Sequence, residues 1–190
     1  MPRQRDERRH EFIAAAADVF EAQGVANTTV RDVTEHMGVA RSLFYYYFQD
    51  KDDLVDAVID EYVDDFIEHV SDWIHTEPTE STRAKLTHIV ALIRSYLMET
   101  NPFKCCIGQK GDASLLYQFT FRSAKRLSEF FEKEVDYSGG SRLTLDASIR
   151  HPRESYYLLV VGLIGLFNEE PSLDDEVTVD LICDTLHIPV

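Results

Sequence analysis

Between Thr28 and Leu54 the chain carries two short runs of helical apolar spacing with a glycine between them, then the start of a third. In the first run Val30, Val33 and Met37 fall on one face, and Thr28 or Thr29 stands where a cap is needed. Thr29 with Asp32 three residues on fits a capping box, in which hydroxyl and carboxylate each take an otherwise orphan backbone donor. Gly38 supplies the left-handed residue that ends the helix. After Val39, a second helix brings Phe44 and Phe48 onto one face at i,i+4 spacing. Arg41, Ser42, Tyr45 and Tyr46 are thereby sent outward. Asp50 caps a third helix, again with an acid three residues later at Asp53. Two short helices about a glycine turn, the second presenting polar and aromatic groups, describe a helix-turn-helix.

The outward groups carry the chemistry. An arginine at the start of the second helix, Arg41, matches guanine O6 and N7 in a major groove. Ser42 and the tyrosine hydroxyls suit phosphate oxygens, which fix register without reading sequence. Lys51 sits in the first turn of the next helix, where free backbone N–H groups also favour an anion. A second reading of the same residues is a compact helical hairpin whose aromatics only pack.

The run GVARSLFYYYFQDKDDLVDAV resembles the signature of the TetR family of bacterial transcriptional regulators: a Gly-Val turn, a helix ending in aromatics, then Lys and Asp before Leu. The likeness spans about Arg8 to Val63. It implies base reading at Arg41 and Ser42 and phosphate contacts at Thr29, Tyr45, Tyr46 and Lys51. Arg31 sits where members often touch DNA from the preceding helix. Two positions depart from the pattern. Ala40 stands where a Ser or Thr cap is usual, and Leu43 where Thr is common, so a cap hydroxyl and one polar contact are missing. Leu43 suits a thymine methyl instead.

Composition limits the alternatives. The net charge of −15 argues against a protein that coats nucleic acid indiscriminately. Residues 1–51 are nonetheless nearly neutral, with seven Lys/Arg against eight Asp/Glu, so the acidic excess lies in the remainder. Arg3, Arg5, Arg8 and Arg9 read either as an arm reaching DNA or as a solvated terminus. No apolar run reaches the ~18 residues of a membrane span, and the first residues lack the apolar core of a signal peptide. The expected location is therefore the cytoplasm, with no membrane partner. The three cysteines show neither an even framework nor metal spacing, and Cys105 and Cys106 read as buried residues or a vicinal thiol pair. There is no nucleophile elbow with a Ser–His–Asp order, no Gly-rich phosphate loop and no HExxH. No enzyme, cofactor or metal site is expected.

The remaining chain reads as helices. Phe12, Ile13, Ala16, Val19 and Phe20 form one face of a first helix over about Arg5 to Gln23, closed by Gly24. From Lys51 an apolar stripe through Leu54, Val58, Tyr62, Phe66, Val70 and Trp73 runs to about His75, long enough to serve two cores. Further helices are expected through Leu86–Leu97 and Leu115–Val135. DYSGGSRLTLDASIRHP reads as an irregular loop for want of a partner strand. Pro152 opens the most apolar helix, and a last one spans about Asp174 to Leu186.

The expected fold is therefore all-α, with an N-terminal three-helix helix-turn-helix DNA-binding domain (1–50, extended by the start of the helix at 51–75) and a C-terminal helical ligand-binding and dimerisation domain (51–190). The last two helices either finish the protomer's core or pair about a two-fold axis; the resemblance implies the pairing. Expected interface residues are Tyr156, Leu159, Val160, Leu163, Ile164, Phe167, Leu181 and Ile182. The resemblance also implies a cavity for a small apolar or amphipathic effector. Candidate lining residues are Trp73, Arg94, Tyr96, Phe103, Cys106, Phe119, Arg122, Tyr156 and Phe167, with Arg94 and Arg122 suited to an anionic ligand. The leading expectation is a ligand-responsive repressor that binds a palindromic double-stranded DNA operator as a homodimer. The alternative is a helical interaction or ligand-binding protein whose helix-turn-helix does not bind DNA.

Overall fold

Phe12, Ile13, Ala16, Val19 and Phe20 are all buried on one face of α1 (Pro2–Gln23), and Gly24 closes it at φ +80°. The structure, a computed structural model, describes residues 2–76, 81–98, 113–136, 143–144 and 149–188, and at residues 2–5, 74–76, 97–98, 135–136 and 143–144 the backbone only. Within these residues the architecture is all-helical apart from one two-residue strand pairing. After α1 come α2 (Val30–His36), α3 (Arg41–Tyr47), α4 (Lys51–Thr76), α5 (Thr82–Met98), α6 (Ala113–Glu134), α7 (Pro152–Glu169) and α8 (Asp175–Leu186).

The capping box at α2 forms as its spacing requires. The Thr29 backbone N–H donates to Asp32 Oδ2 at 2.7 Å and the Asp32 N–H donates to Thr29 Oγ1 at 3.3 Å. Gly38 takes φ +66°, the left-handed conformation that releases the chain from α2 into the turn. Ala40 caps α3 with no side-chain hydrogen bond, so that helix starts on backbone geometry alone. Asp50 accepts the Asp53 N–H at 2.9 Å to begin α4.

Phe12, Phe44 and Phe48 meet at ring-centroid distances of 5.5 to 6.1 Å and close the small core under α1 to α3. Each buried phenylalanine is worth about 1.5–3 kcal/mol. The same apolar cluster continues along α4 through Leu54, Val58, Val63, Phe66 and Val70 into the second half of the molecule. There α4 packs on α6, α6 on α7, and α5 on α8. One helix thus serves both cores.

The loop after α6 departs from expectation. Leu143–Thr144 (β2) pairs in parallel with Val135–Asp136 (β1), in the register Val135 to Leu143 and Asp136 to Thr144. The partner strand was hidden in the sequence because Val135 reads as the last apolar residue of a helix.

The expected interface set is also redistributed. Tyr156, Val160, Leu163, Ile164, Phe167 and Ile182 are buried inside the protomer, and Leu159 is half-buried. Of that set only Leu181 is exposed. The reason is that α7 is apolar on two faces, and the face carrying these residues is consumed by the chain's own core. Its outer face carries Leu158, at 69% exposure, and Leu166, beside Val177 and Leu181 of α8.

Candidate nucleic-acid interface and ligand cavity

The face of α3 opposite Phe44 holds Arg41, Ser42, Tyr45 and Tyr46, all exposed. Tyr45 and Tyr46 are 51% and 60% exposed, a large apolar area for a helix of seven residues. The two rings are propped from below: Tyr45 stands edge-on to Phe44 at 5.2 Å and Tyr46 edge-on to Tyr47 at 4.9 Å. Arg41 Nη2 donates to Tyr45 Oη at 3.0 Å, with the guanidinium 5.7 Å from that ring's centroid. The arginine is held over the outer face and has no acidic partner among its described contacts. It presents a fork of donors to solvent.

The other expected contact residues are engaged to different degrees. Arg31 is exposed and donates to Glu35 at 2.6 Å, a bond that raises its pKa above the ordinary arginine value. Thr29 is exposed with its hydroxyl held in the capping box, donating to Asp32 Oδ2 at 2.7 Å. That hydroxyl, and the Thr29 N–H, keep the Asp32 carboxyl below the usual carboxylate range. Leu43 is half-buried and packs against the core.

Lys51 is the exception. Its ammonium donates to the carbonyls of Val25 at 3.0 Å and Thr28 at 3.1 Å, and so ties the start of α4 to the α1–α2 turn. Only one of its three N–H groups is left for an outside acceptor. Arg9 lies 5.0 Å over the Phe48 ring and Arg8 pairs with Glu11, which fixes part of the basic N-terminal stretch to the scaffold.

In the second half of the molecule the residues expected to line a ligand cavity are dispersed. Phe103 and Cys106 lie outside the described residues. Arg94 is consumed by the α7–α8 connection: it donates to Asp175, to the Pro171 carbonyl at 2.9 Å and to the Leu173 carbonyl, with its guanidinium 4.5 Å over Phe167. Arg122 sits between Asp56 at 3.1 Å and Asp60 at 2.6 Å on α4. Among the described residues, neither arginine lines the two cavities formed by α4 to α8, and both are already paired with carboxylates. Each is drawn away by acceptors far off in sequence. Arg126 continues the ladder to Asp64. Burial pushes the Asp56 carboxyl upward despite Arg122. Trp73 stacks on His88 at 4.4 Å.

Two adjoining cavities do exist. The larger, about 60 Å³, is walled by aliphatic side chains of α5, α7 and α8 with the rings of Phe131 and Tyr156. The smaller, about 10 Å³, shares Ile93, Val160 and Leu163 with it. Tyr96 and Ser123 border the smaller one. Tyr96 also stacks between helices, 4.2 Å from Tyr62 and 4.2 Å from Phe66 of α4 and 6.4 Å from Phe119. The Tyr62 hydroxyl donates to the Tyr96 carbonyl at 2.5 Å. Of the expected set, Tyr156 lines the larger cavity and Tyr96 the smaller. Trp73, Arg94, Phe119, Arg122 and Phe167 line neither. Ser123 was missed, though a serine between Phe119 and Leu127 on an apolar helix face is a visible interruption.

Residues 12–58 match the family model described as bacterial regulatory proteins, tetR family. The chain is 33% identical over 91 residues to the HTH-type transcriptional regulator HbdR of Aromatoleum sp. (strain CIB), 47% of this chain and 38% of that protein. It is 43% identical over 54 residues to the HTH-type transcriptional regulator TtgR of Pseudomonas putida, 28% of this chain and 26% of that one. The matched stretches thus span well under half of these curated relatives. Among solved structures, a TetR-family transcriptional regulator from Streptomyces coelicolor superposes with a TM-score of 0.67 at 18% identity, covering 95% of this chain and 98% of the other. RolR in complex with resorcinol gives 0.66 at 18% identity, covering 99% and 91%. At that identity the likeness is one of fold.

Proposed function

With residues 12–58 a TetR-family domain and the whole chain in the fold of that family's solved structures, we propose that the protein is a DNA-binding transcriptional regulator. It acts as a repressor of a palindromic operator, binds as a homodimer, and is released by a small molecule. The observation that carries this reading is the outer face of α3: Arg41, Ser42, Tyr45 and Tyr46, exposed together on a helix anchored from below by Phe12, Phe44 and Phe48. Arg41 serves base reading in a major groove, and Ser42 with the tyrosine hydroxyls serves phosphate contact. Thr29 and Arg31 flank the groove from α2, and Leu43 offers only the part of its side chain not packed inward. Lys51 acts first by holding the α1–α2 turn in place.

Dimerisation supplies the second half-site. Leu158 and Leu166 of α7 with Val177 and Leu181 of α8 form an exposed apolar face. Gly162 and Gly165 lie on the same face, where an added Cβ would meet nothing of the chain within 4 Å. Two such helix pairs about a two-fold axis bury this face as a four-helix bundle. The reading helices then meet successive major grooves about 34–36 Å apart.

Effector binding works through α4. Tyr62 and Phe66 of that helix are stacked on Tyr96 at the cavity wall, while its first turn is bonded through Lys51 to the reading unit. A ligand that prefers one seating of this stack favours one spacing of the two α3 helices, by no more than its difference in affinity for the two states. The working location is the cytoplasm, where operator DNA is accessible; no helix among the described residues is long and apolar enough to cross a membrane.

Footprinting on DNA flanking the protein's own coding region, with sedimentation of the free protein, tests the reading. Protection of two half-sites one helical turn apart by a dimer is expected. A monomer in solution, or no protected site in that DNA, counts against it.

A further inference from the structure

The smaller cavity contains two polar groups that the fold leaves without partners. Tyr96 Oη and Ser123 Oγ are both fully enclosed, and neither forms a hydrogen bond. Tyr96 is 7% exposed and Ser123 is wholly buried. The remaining walls are Phe66, Ile93, Leu127, Val160, Leu163 and Ile164, all apolar. Desolvation holds the phenol far above its ordinary pKa, so it remains a protonated donor. The Ser123 hydroxyl is close enough to oppose that shift weakly, but the two groups do not close a bond with one another.

Buried hydroxyls without partners are costly, and nearly all in folded proteins find one. The space of about 10 Å³ beside them is that of one water-sized group. It adjoins the apolar cavity of about 60 Å³, and the two share Ile93, Val160 and Leu163. An occupant that fills both has an apolar body in the larger space and a single oxygen at the far end. Among the described lining residues no charged side chain faces either space, so an ionised group has no partner there.

We propose that the effector is a small uncharged molecule, largely apolar, whose one hydroxyl or carbonyl oxygen is bound between Tyr96 and Ser123. This rests on the regulator reading and narrows its ligand class. An acceptor oxygen takes the Tyr96 proton, and Ser123 donates to a carbonyl or accepts from a hydroxyl. The site is also mechanically placed. The Tyr96 ring lies against Tyr62 and Phe66 of α4, so an occupant that holds the phenol bears directly on the helix leading to the reading unit.

The test is calorimetry on the full-length dimer with four matched probes: benzyl alcohol, acetophenone, toluene and benzoate. Benzyl alcohol and acetophenone are expected to bind about tenfold or more tightly than toluene, the gain of satisfying otherwise orphan groups. Benzoate should not bind measurably. In Tyr96→Phe/Ser123→Ala the preference for oxygen over hydrocarbon should vanish while toluene affinity holds. If that double variant fails to fold, Ser123→Ala alone should still shrink the preference. Toluene binding as well as the alcohol, benzoate binding best, or an undiminished preference in the variants would each overturn the proposal. A crystal structure showing only a trapped water, with none of the probes bound, would overturn it too.

A parallel footprint separates this from the broader reading. Probes that bind as expected without altering the operator complex uphold the ligand class and sink effector release. An operator complex that dissociates with some charged compound, but never with these probes, sinks the ligand class alone.

Discussion

The reading unit and the C-terminal half satisfy their polar groups in opposite ways. In the first, most partners are neighbours in sequence, Thr29 with Asp32, Arg31 with Glu35, Arg41 with Tyr45 and Asp50 with Asp53, and Lys51 and His10 reach further. In the second they come from far along the chain: Arg122 to Asp60 across 62 positions, Arg94 to Asp175 across 81, Arg83 to Asp180 across 97. Local pairing lets a short unit fix its own surface and leave α3 free for an outside partner. Distant pairing stitches helices together, and where a stitch is missing, at Tyr96 and Ser123, a cavity with unsatisfied groups remains. The proposed recognition of DNA wants the former, and the proposed recognition of a small molecule wants the latter.

The largest break in this contrast should come from the core beneath the reading face. Phe44→Ala removes the ring shared by Phe12, Phe48 and Tyr45 and should cost about 3–5 kcal/mol in denaturant unfolding. A loss below about 1 kcal/mol would mean that the unit is not held by this cluster.

Arg94→Ala comes next. It strips Asp175 and the Pro171 and Leu173 carbonyls of their donor, at about 2 kcal/mol after allowance for partial exposure. Arg31→Ala, a local and exposed pair, should change stability by less than about 0.5 kcal/mol. Equal effects from the two would erase the distinction between local and distant pairing.

Lys51→Met probes a long-range tie of the reading unit, from α4 back to the α1–α2 turn. It should lower stability by about 1 kcal/mol through the Val25 and Thr28 carbonyls. The slope of log affinity against log salt should then fall by less than about one. An unchanged stability with a full unit lost from the slope would make Lys51 a plain phosphate contact instead.

The same contrast explains what could be read from the residues. The capping box, the Gly38 turn, the Phe44–Phe48 face and the outward set on α3 depend on spacings of three and four, and all are present in the structure. So are the Pro152 start of α7 and the last helix over about Asp174 to Leu186. What could not be read depends on partners remote in sequence. Arg94 and Arg122 looked like free cations beside aromatics because Asp175 and Asp60 are brought to them only by tertiary packing. The β1–β2 pairing was obscure for a local reason, because Val135 reads as the end of the preceding helix. On α7, composition announced burial but could not divide one apolar surface between the protomer's core, where Phe167 and Val160 point, and the outer face, where Leu158 and Leu166 point.

The central claim, that α3 reads base edges, is tested most directly by fluorescence anisotropy of wild type and Arg41→Ala on the protected operator, on a scrambled duplex, and on operators varied one base pair at a time. The account predicts a loss of about 1–3 kcal/mol on the operator, little change on the scrambled duplex, and vanished discrimination at one base position. An equal loss on every duplex, or none on any, would contradict it.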